Sequence, residues 1–143
     1  MLNYATVGSN RLEEAKAFYD DLLGTIGMTK FFDHPSGGRL YGRPGKSLFG
    51  VLGPYDGNEG TVGNGTMAGF GLEDRAAVDA FHARALALGG TNEGDPGPRG
   101  GADSPAYFAY FRDPDGNKLC AYHFLPRAPN NRATPDASLP MCH

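Results

Sequence analysis

Tyr107-Phe108-Ala109-Tyr110-Phe111-Arg112-Asp113-Pro114-Asp115-Gly116-Asn117-Lys118-Leu119-Cys120-Ala121-Tyr122-His123 decides the fold. Two aromatic and apolar runs flank Asp113-Pro114-Asp115-Gly116-Asn117, where an early Pro and a late Gly supply the backbone angles of a tight reversal. The stretch therefore reads as a β-hairpin, and Phe124 extends its second strand.

Working outward, the 53–65 stretch is rich in Gly, Pro and Asp and reads as a linker between two halves with the same grammar. In the first half, Leu2 to Val7 alternates as a strand with Leu2, Tyr4 and Thr6 on one face. Asn10 followed by Glu13 reads as a helix cap, and Leu12, Ala15, Phe18, Tyr19, Leu22 and Leu23 form one helical stripe. Three short strands follow at Met28 to Phe32, Arg39 to Arg43 and Ser47 to Leu52. In the second half Thr66 to Leu72 is a strand, Asp74 caps a helix striped by Ala77, Val78, Phe81, Ala85 and Leu88, and a short strand near Thr91 precedes the hairpin. Both halves read β-α-β-β-β.

The two halves are copies in register. Phe18 and Phe81 lie 63 positions apart, as do Ala17 and Ala80, Leu23 and Leu86, Gly27 and Gly90, and Tyr4 and Met67. Aligning the Pro44-Gly45 turn with Asp115-Gly116 pairs Leu48 with Leu119 and Phe49 with Cys120. The expected organisation is one domain over 1–125, with module one at about 1–55, module two at about 64–125, and a Pro-rich tail over 126–143.

Composition narrows the function. The 143-residue chain carries a net charge of −3 and no Lys/Arg cluster interleaved with aromatics, which argues against nucleic acid as a partner. No segment reaches membrane-spanning length, the start lacks a basic region followed by an apolar run, and the two cysteines have no redox or zinc spacing, so a cytoplasmic protein that does not engage membranes is expected. A small molecule is the expected partner.

Each helix must bury its stripe on its sheet, which leaves the other sheet face free. Two curved sheets facing each other would enclose a cavity. On that reading Tyr4, Phe49, Met67 and Cys120 form its centre, and Thr6, Tyr107, Tyr122 and Phe124 extend the lining, with Phe108, Tyr110 and Tyr41 among the candidates for the rim. These rings either orient a planar ligand or fill the barrel as core. Arg39, Arg43, Arg99 and Arg112 are candidate anion partners near loops, and Cys120 is either a nucleophile or a buried inert thiol.

The opening strand and helix around Arg11-Leu12-Glu13-Glu14-Ala15-Lys16-Ala17-Phe18-Tyr19, the restart at Asn64-Gly65-Thr66-Met67-Ala68-Gly69-Phe70, and the Asp113–Asn117 turn together resemble the vicinal oxygen chelate superfamily of glyoxalases, bleomycin-resistance proteins and extradiol dioxygenases. The resemblance implies an α+β fold of two tandem modules forming an open eight-stranded mixed β-barrel with helices outside. It also implies a homodimer, and module pairing within one chain or across a two-fold axis stays open.

Metal-dependent members carry His or Glu at the central strand positions, where one divalent ion polarises substrate oxygens. Tyr4, Phe49, Met67 and Cys120 stand there instead. No cofactor is therefore expected, no catalytic residue is assigned, and the protein reads as a binder of a small aromatic or amphipathic molecule. The alternative is a metal-dependent lyase, isomerase or dioxygenase of the glyoxalase type with an atypical site.

Overall fold

The computed structural model describes residues 1–126; the Pro-rich tail expected over 126–143 lies, from residue 127 onward, outside the described residues. The elements run β1 (Tyr4–Gly8), α1 (Leu12–Gly24), β2 (Lys30–Asp33), β3 (Arg39–Gly42), β4 (Leu48–Leu52), β5 (Ala68–Gly71), α2 (Arg75–Ala87), β6 (Thr91–Pro98), β7 (Ala106–Arg112) and β8 (Lys118–Phe124). They form two four-stranded mixed sheets, ordered β1-β4-β3-β2 and β5-β8-β7-β6, in an α+β tandem of β-α-β-β-β modules. In each module the first and last strands pair in parallel and the others are antiparallel. The two ladders remain separate, so the barrel is open.

The repeat is visible in the helices. Both have 13 residues, their boundaries fall at the 63-residue offset, and buried Ala15, Phe18, Tyr19 and Leu22 correspond to buried Val78, Phe81, His82 and Ala85. Their starts differ. Asp74 caps α2 by accepting from the Ala77 N–H at 2.7 Å, as its sequence predicts. The N-cap of α1 is Arg11, which makes no side-chain cap bond. Asn10, expected to cap it, instead bonds the linker: its Nδ2 donates to the Gly60 carbonyl and its Oδ1 accepts from the Gly60 N–H.

The start of α1 is held by the β7–β8 turn. Ser9 Oγ accepts from the Arg11 N–H and donates to Asp115 Oδ2 at 2.5 Å, while the Asn10 N–H donates to Asp115 Oδ1 at 2.9 Å. A carboxylate at a helix N-terminus also interacts favourably with the helix dipole. Within the turn, Asp113 Oδ1 accepts the N–H groups of Asp115 and Asn117, and its Oδ2 accepts from Asn117 Nδ2 and from the Tyr19 hydroxyl at 2.5 Å. Asn117 Nδ2 also donates to the Gly8 carbonyl at the end of β1. Gly116 allows this geometry because its φ of 90° is one that L side chains rarely adopt. The turn of module two is thus bonded into module one.

The helix-side faces of both modules share one core. Phe49 lies between Tyr19, at 5.1 Å, and Phe70, at 5.4 Å, so the ring contact crosses from β4 to β5. This corrects the expectation that Phe49 lines the cavity. The register gives the reason: Ala5 pairs with Phe49 and Ala68 with Leu119, so Phe49 corresponds to Leu119, and Gly50 corresponds to Cys120. The β3–β4 and β7–β8 turns have equal length, but the positive-φ glycine is third in one, Gly45, and fourth in the other, Gly116. Aligning the glycines shifts the strand by one residue, which reverses every side chain on it.

Phe49 is 2% exposed and Tyr4 is 50% exposed. Phe49→Ala is therefore expected to cost about 3–5 kcal/mol in urea unfolding, and Tyr4→Ala less than about 1 kcal/mol. Equal losses would contradict this assignment of faces.

Candidate functional site

Strand parity determines which side chains escape the helices. On the first sheet the free face carries Tyr4, Thr6, Leu40, Leu48, Gly50 and Leu52; a side chain at Gly50 would meet Thr6, Leu40 and Leu52 within 3.6 Å. On the second it carries Gly69, Gly71, Phe108, Tyr110, Cys120, Tyr122 and Phe124. The ring contacts and hydrogen bonds that join the modules among the described residues lie on the helix side or at the β7–β8 turn.

The second free face is a row of rings. Phe108 stacks on Tyr122 at 5.3 Å and on Tyr110 at 5.9 Å, with interplanar angles of 17° and 18°. Phe124 meets Phe108 and Tyr122 edge-on at 5.6 and 5.9 Å. The row fits because β5 supplies glycine beneath it. A Cβ on Gly69 would approach Cys120 Sγ to 2.9 Å and Tyr122 to 3.3 Å, and one on Gly71 would approach Tyr122 to 3.1 Å. Two cations lie over the ring of Tyr110, Lys118 Nζ at 5.3 Å and the Arg99 guanidinium at 5.4 Å from its centroid.

Cys120, Tyr122 and Phe124 are thus assembled on one face, as their alternation predicts, and Phe108 and Tyr110 join them. Tyr4 and Thr6 lie on the free face of the other sheet. Met67 precedes β5 and is half-buried. Tyr107 turns the other way: it packs against the core, donates its hydroxyl to Asp79 of α2 at 2.6 Å and lies under Arg75 at 4.8 Å. The expectation that it lines the cavity is corrected, because its ladder partner His123 belongs to the helix side and bonds the Leu72 carbonyl through Nδ1. Tyr41 also faces its helix, donating to Asp20.

An open cavity of about 1310 Å³ adjoins the first free face, between the end of β1, the His34–Ser36 turn and the 53–61 linker. Of the expected lining residues only Thr6 reaches it. Its histidine has a folding role: His34 Nδ1 accepts from the Ser36 N–H and bonds Ser36 Oγ, which in turn accepts the Gly38 and Gly53 N–H groups.

The residues present do not fit a hard divalent ion. Such ions take carboxylate, carbonyl or imidazole donors, and the free faces offer Tyr4, Thr6, Leu48, Gly50, Gly69 and Cys120. Among the described residues no three His, Cys, Asp or Glu side chains are grouped to hold a metal. The thiol of Cys120 is pushed up to about 11 by burial, against a smaller downward pull from Lys118, so it is protonated at neutral pH. Burial and that shift both oppose a role as nucleophile. In a Cys142→Ser background, iodoacetamide at pH 8 should modify Cys120 at least about a hundredfold more slowly than an unperturbed thiol; a rate near that of free cysteine would contradict this environment.

A family model described as Glyoxalase/Bleomycin resistance protein/Dioxygenase superfamily matches residues 1–121. The crystal structure of a glyoxalase/bleomycin resistance protein from Albidiferax ferrireducens T118 is 44% identical, covers 86% of this chain and 98% of its own, and superposes with a TM-score of 0.77. A glyoxalase/bleomycin resistance protein/dioxygenase family enzyme from Burkholderia phytofirmans PsJN, at 20% identity, shares the fold with a TM-score of 0.67 over 86% of this chain and 98% of that one. Lactoylglutathione lyase from Agrobacterium tumefaciens, at 22% identity, does so with 0.61 over 86% and 92%. No curated protein matches the chain. Among the described residues no helix is long and apolar enough to cross a membrane. The open pair of β-α-β-β-β modules, the match over residues 1–121 and the 44% identical structure make this chain a member of the glyoxalase/bleomycin resistance protein/dioxygenase superfamily.

Proposed function

We propose that the protein binds a small aromatic or amphipathic molecule on the free sheet faces, without the divalent metal of its metal-dependent relatives, and that it does so as a homodimer. The observation that carries this reading is the row Tyr110, Phe108, Tyr122 and Phe124, left uncovered by either helix. Stacked rings with hydroxyls at intervals suit a planar ligand, since each ring offers apolar area and tyrosine adds an orienting polar group. The tyrosine, threonine, leucine and thiol side chains present on the free faces are poor donors for a hard divalent ion, which supports binding without metal.

Exposed apolar groups on the same faces support the dimer. The first free face leaves Leu2 89% and Tyr4 50% exposed, and Phe124 on the second is 41% exposed. A two-fold arrangement that sets module one of one copy against module two of its partner would cover these apolar groups and close the cavity. A cytoplasmic location accords with the reading.

The test is sedimentation equilibrium on purified protein, followed by metal analysis and a thermal-shift screen of aromatic compounds. The expected result is twice the chain mass, substoichiometric metal, and a stabiliser that contributes roughly 2.7 kcal/mol at a hundredfold excess over its dissociation constant. A monomer that no compound stabilises, or stoichiometric Ni, Zn, Fe or Mn, would overturn the proposal, and stoichiometric metal would favour the lyase, isomerase or dioxygenase alternative.

A further inference from the structure

We infer that the second free face selects an acidic ligand: a planar aromatic or amphipathic molecule whose negative group is read by Lys118 and Arg99. The inference rests on the reading of this face as a ligand site and names the class of ligand it takes.

The argument begins with charge matching. Several arginines are paired with carboxylates, Arg39 with Asp20 and Asp33, Arg84 with Asp21, and Arg112 with Glu93, while Arg75 lies over the Tyr107 ring and donates to the Ser104 carbonyl on the helix side. Among the described residues Arg99 and Lys118 have no carboxylate within ion-pair distance. Arg99 donates to the backbone carbonyls of Asp95 and Gly97, which orients its guanidinium along β6 and leaves the charge in place. The nearby Asp95 carboxylate accepts from Asn92 Nδ2 instead.

Lys118 stands directly opposite Arg112 across the β7–β8 ladder. Like charges in that position repel, and the single carboxylate beside them, Glu93, is bonded to Arg112. The face therefore carries an excess of positive charge in a chain whose net charge is −3.

The placement of that excess gives it a use. Lys118 and Arg99 both lie over the ring of Tyr110, at the end of the row continued by Phe108 and Tyr122, so a ligand lying along the rings would bring a terminal acid to two cations. The partly apolar setting weakens solvent screening there, and a charged acceptor makes stronger hydrogen bonds than a neutral one.

The experiment titrates the full chain with 2-naphthoate, 2-naphthylmethanol and sulfate by calorimetry at low salt. The expected order is naphthoate at least about tenfold tighter than the neutral alcohol, with sulfate far weaker. Lys118→Gln combined with Arg99→Gln should bring the naphthoate-to-alcohol ratio close to one, and Lys118→Arg should preserve the preference. Equal binding of acid and alcohol, an unchanged ratio in the double variant, or sulfate binding as tightly as naphthoate would overturn the inference while leaving an aromatic site standing. Failure of both naphthyl probes to bind the unaltered protein would overturn the inference and the aromatic-binding reading together.

Discussion

Two carboxylates in one turn hold this fold in its arrangement. Asp113 organises the β7–β8 reversal from inside and accepts the buried Tyr19 hydroxyl, while Asp115 meets Ser9 and Asn10 ahead of α1. Burial pushes the Asp113 carboxyl up, while its hydrogen bonds pull the other way. Such a group is costly to strand, so the loss of one partner exposes the desolvation penalty of the other. The turn thereby fixes the helix side of module one against module two, placing Phe49 against Phe70 and leaving the opposite sheet faces without a helix over them. Which residues can meet a ligand follows from that arrangement.

Most of the fold was legible in the sequence because it rests on local signals. The cap at Asp74, the 63-residue offset between Phe18 and Phe81 and most of both helix stripes survive, with Leu88 falling at the C-cap of α2 and His82 joining its buried side. Asn10 looked like a cap and is one for the linker instead, since the carboxylate that serves the start of α1 comes from Asp115, far along the chain. A bond between such distant residues has no local pattern to announce it.

The candidate site was legible only in part, because a sheet face depends on parity. Cys120, Tyr122 and Phe124 share one sheet face, as alternation within one strand predicts. Phe49 required an alignment between two strands, and the different glycine positions in two equal-length turns displaced it by one residue. Tyr107 fell to the helix side for the same reason of parity, its ladder partner being His123. Lys118 and Arg99 belong to the aromatic face through contacts that cross strands, and one of them was visible beforehand merely as a basic residue near a loop. The superfamily's fold is thus retained in this chain with apolar, aromatic and basic side chains on its free sheet faces.

The most direct test of this account is a double-mutant cycle between Tyr19→Phe and Asp113→Asn, read by reversible urea unfolding. If the turn of module two is bonded into module one, the two substitutions should couple by about 1–3 kcal/mol, as expected for buried partners in one hydrogen-bond network. Losses that add to within about 0.5 kcal/mol would mean that the two groups act independently, and the arrangement that exposes the free faces would then need another cause.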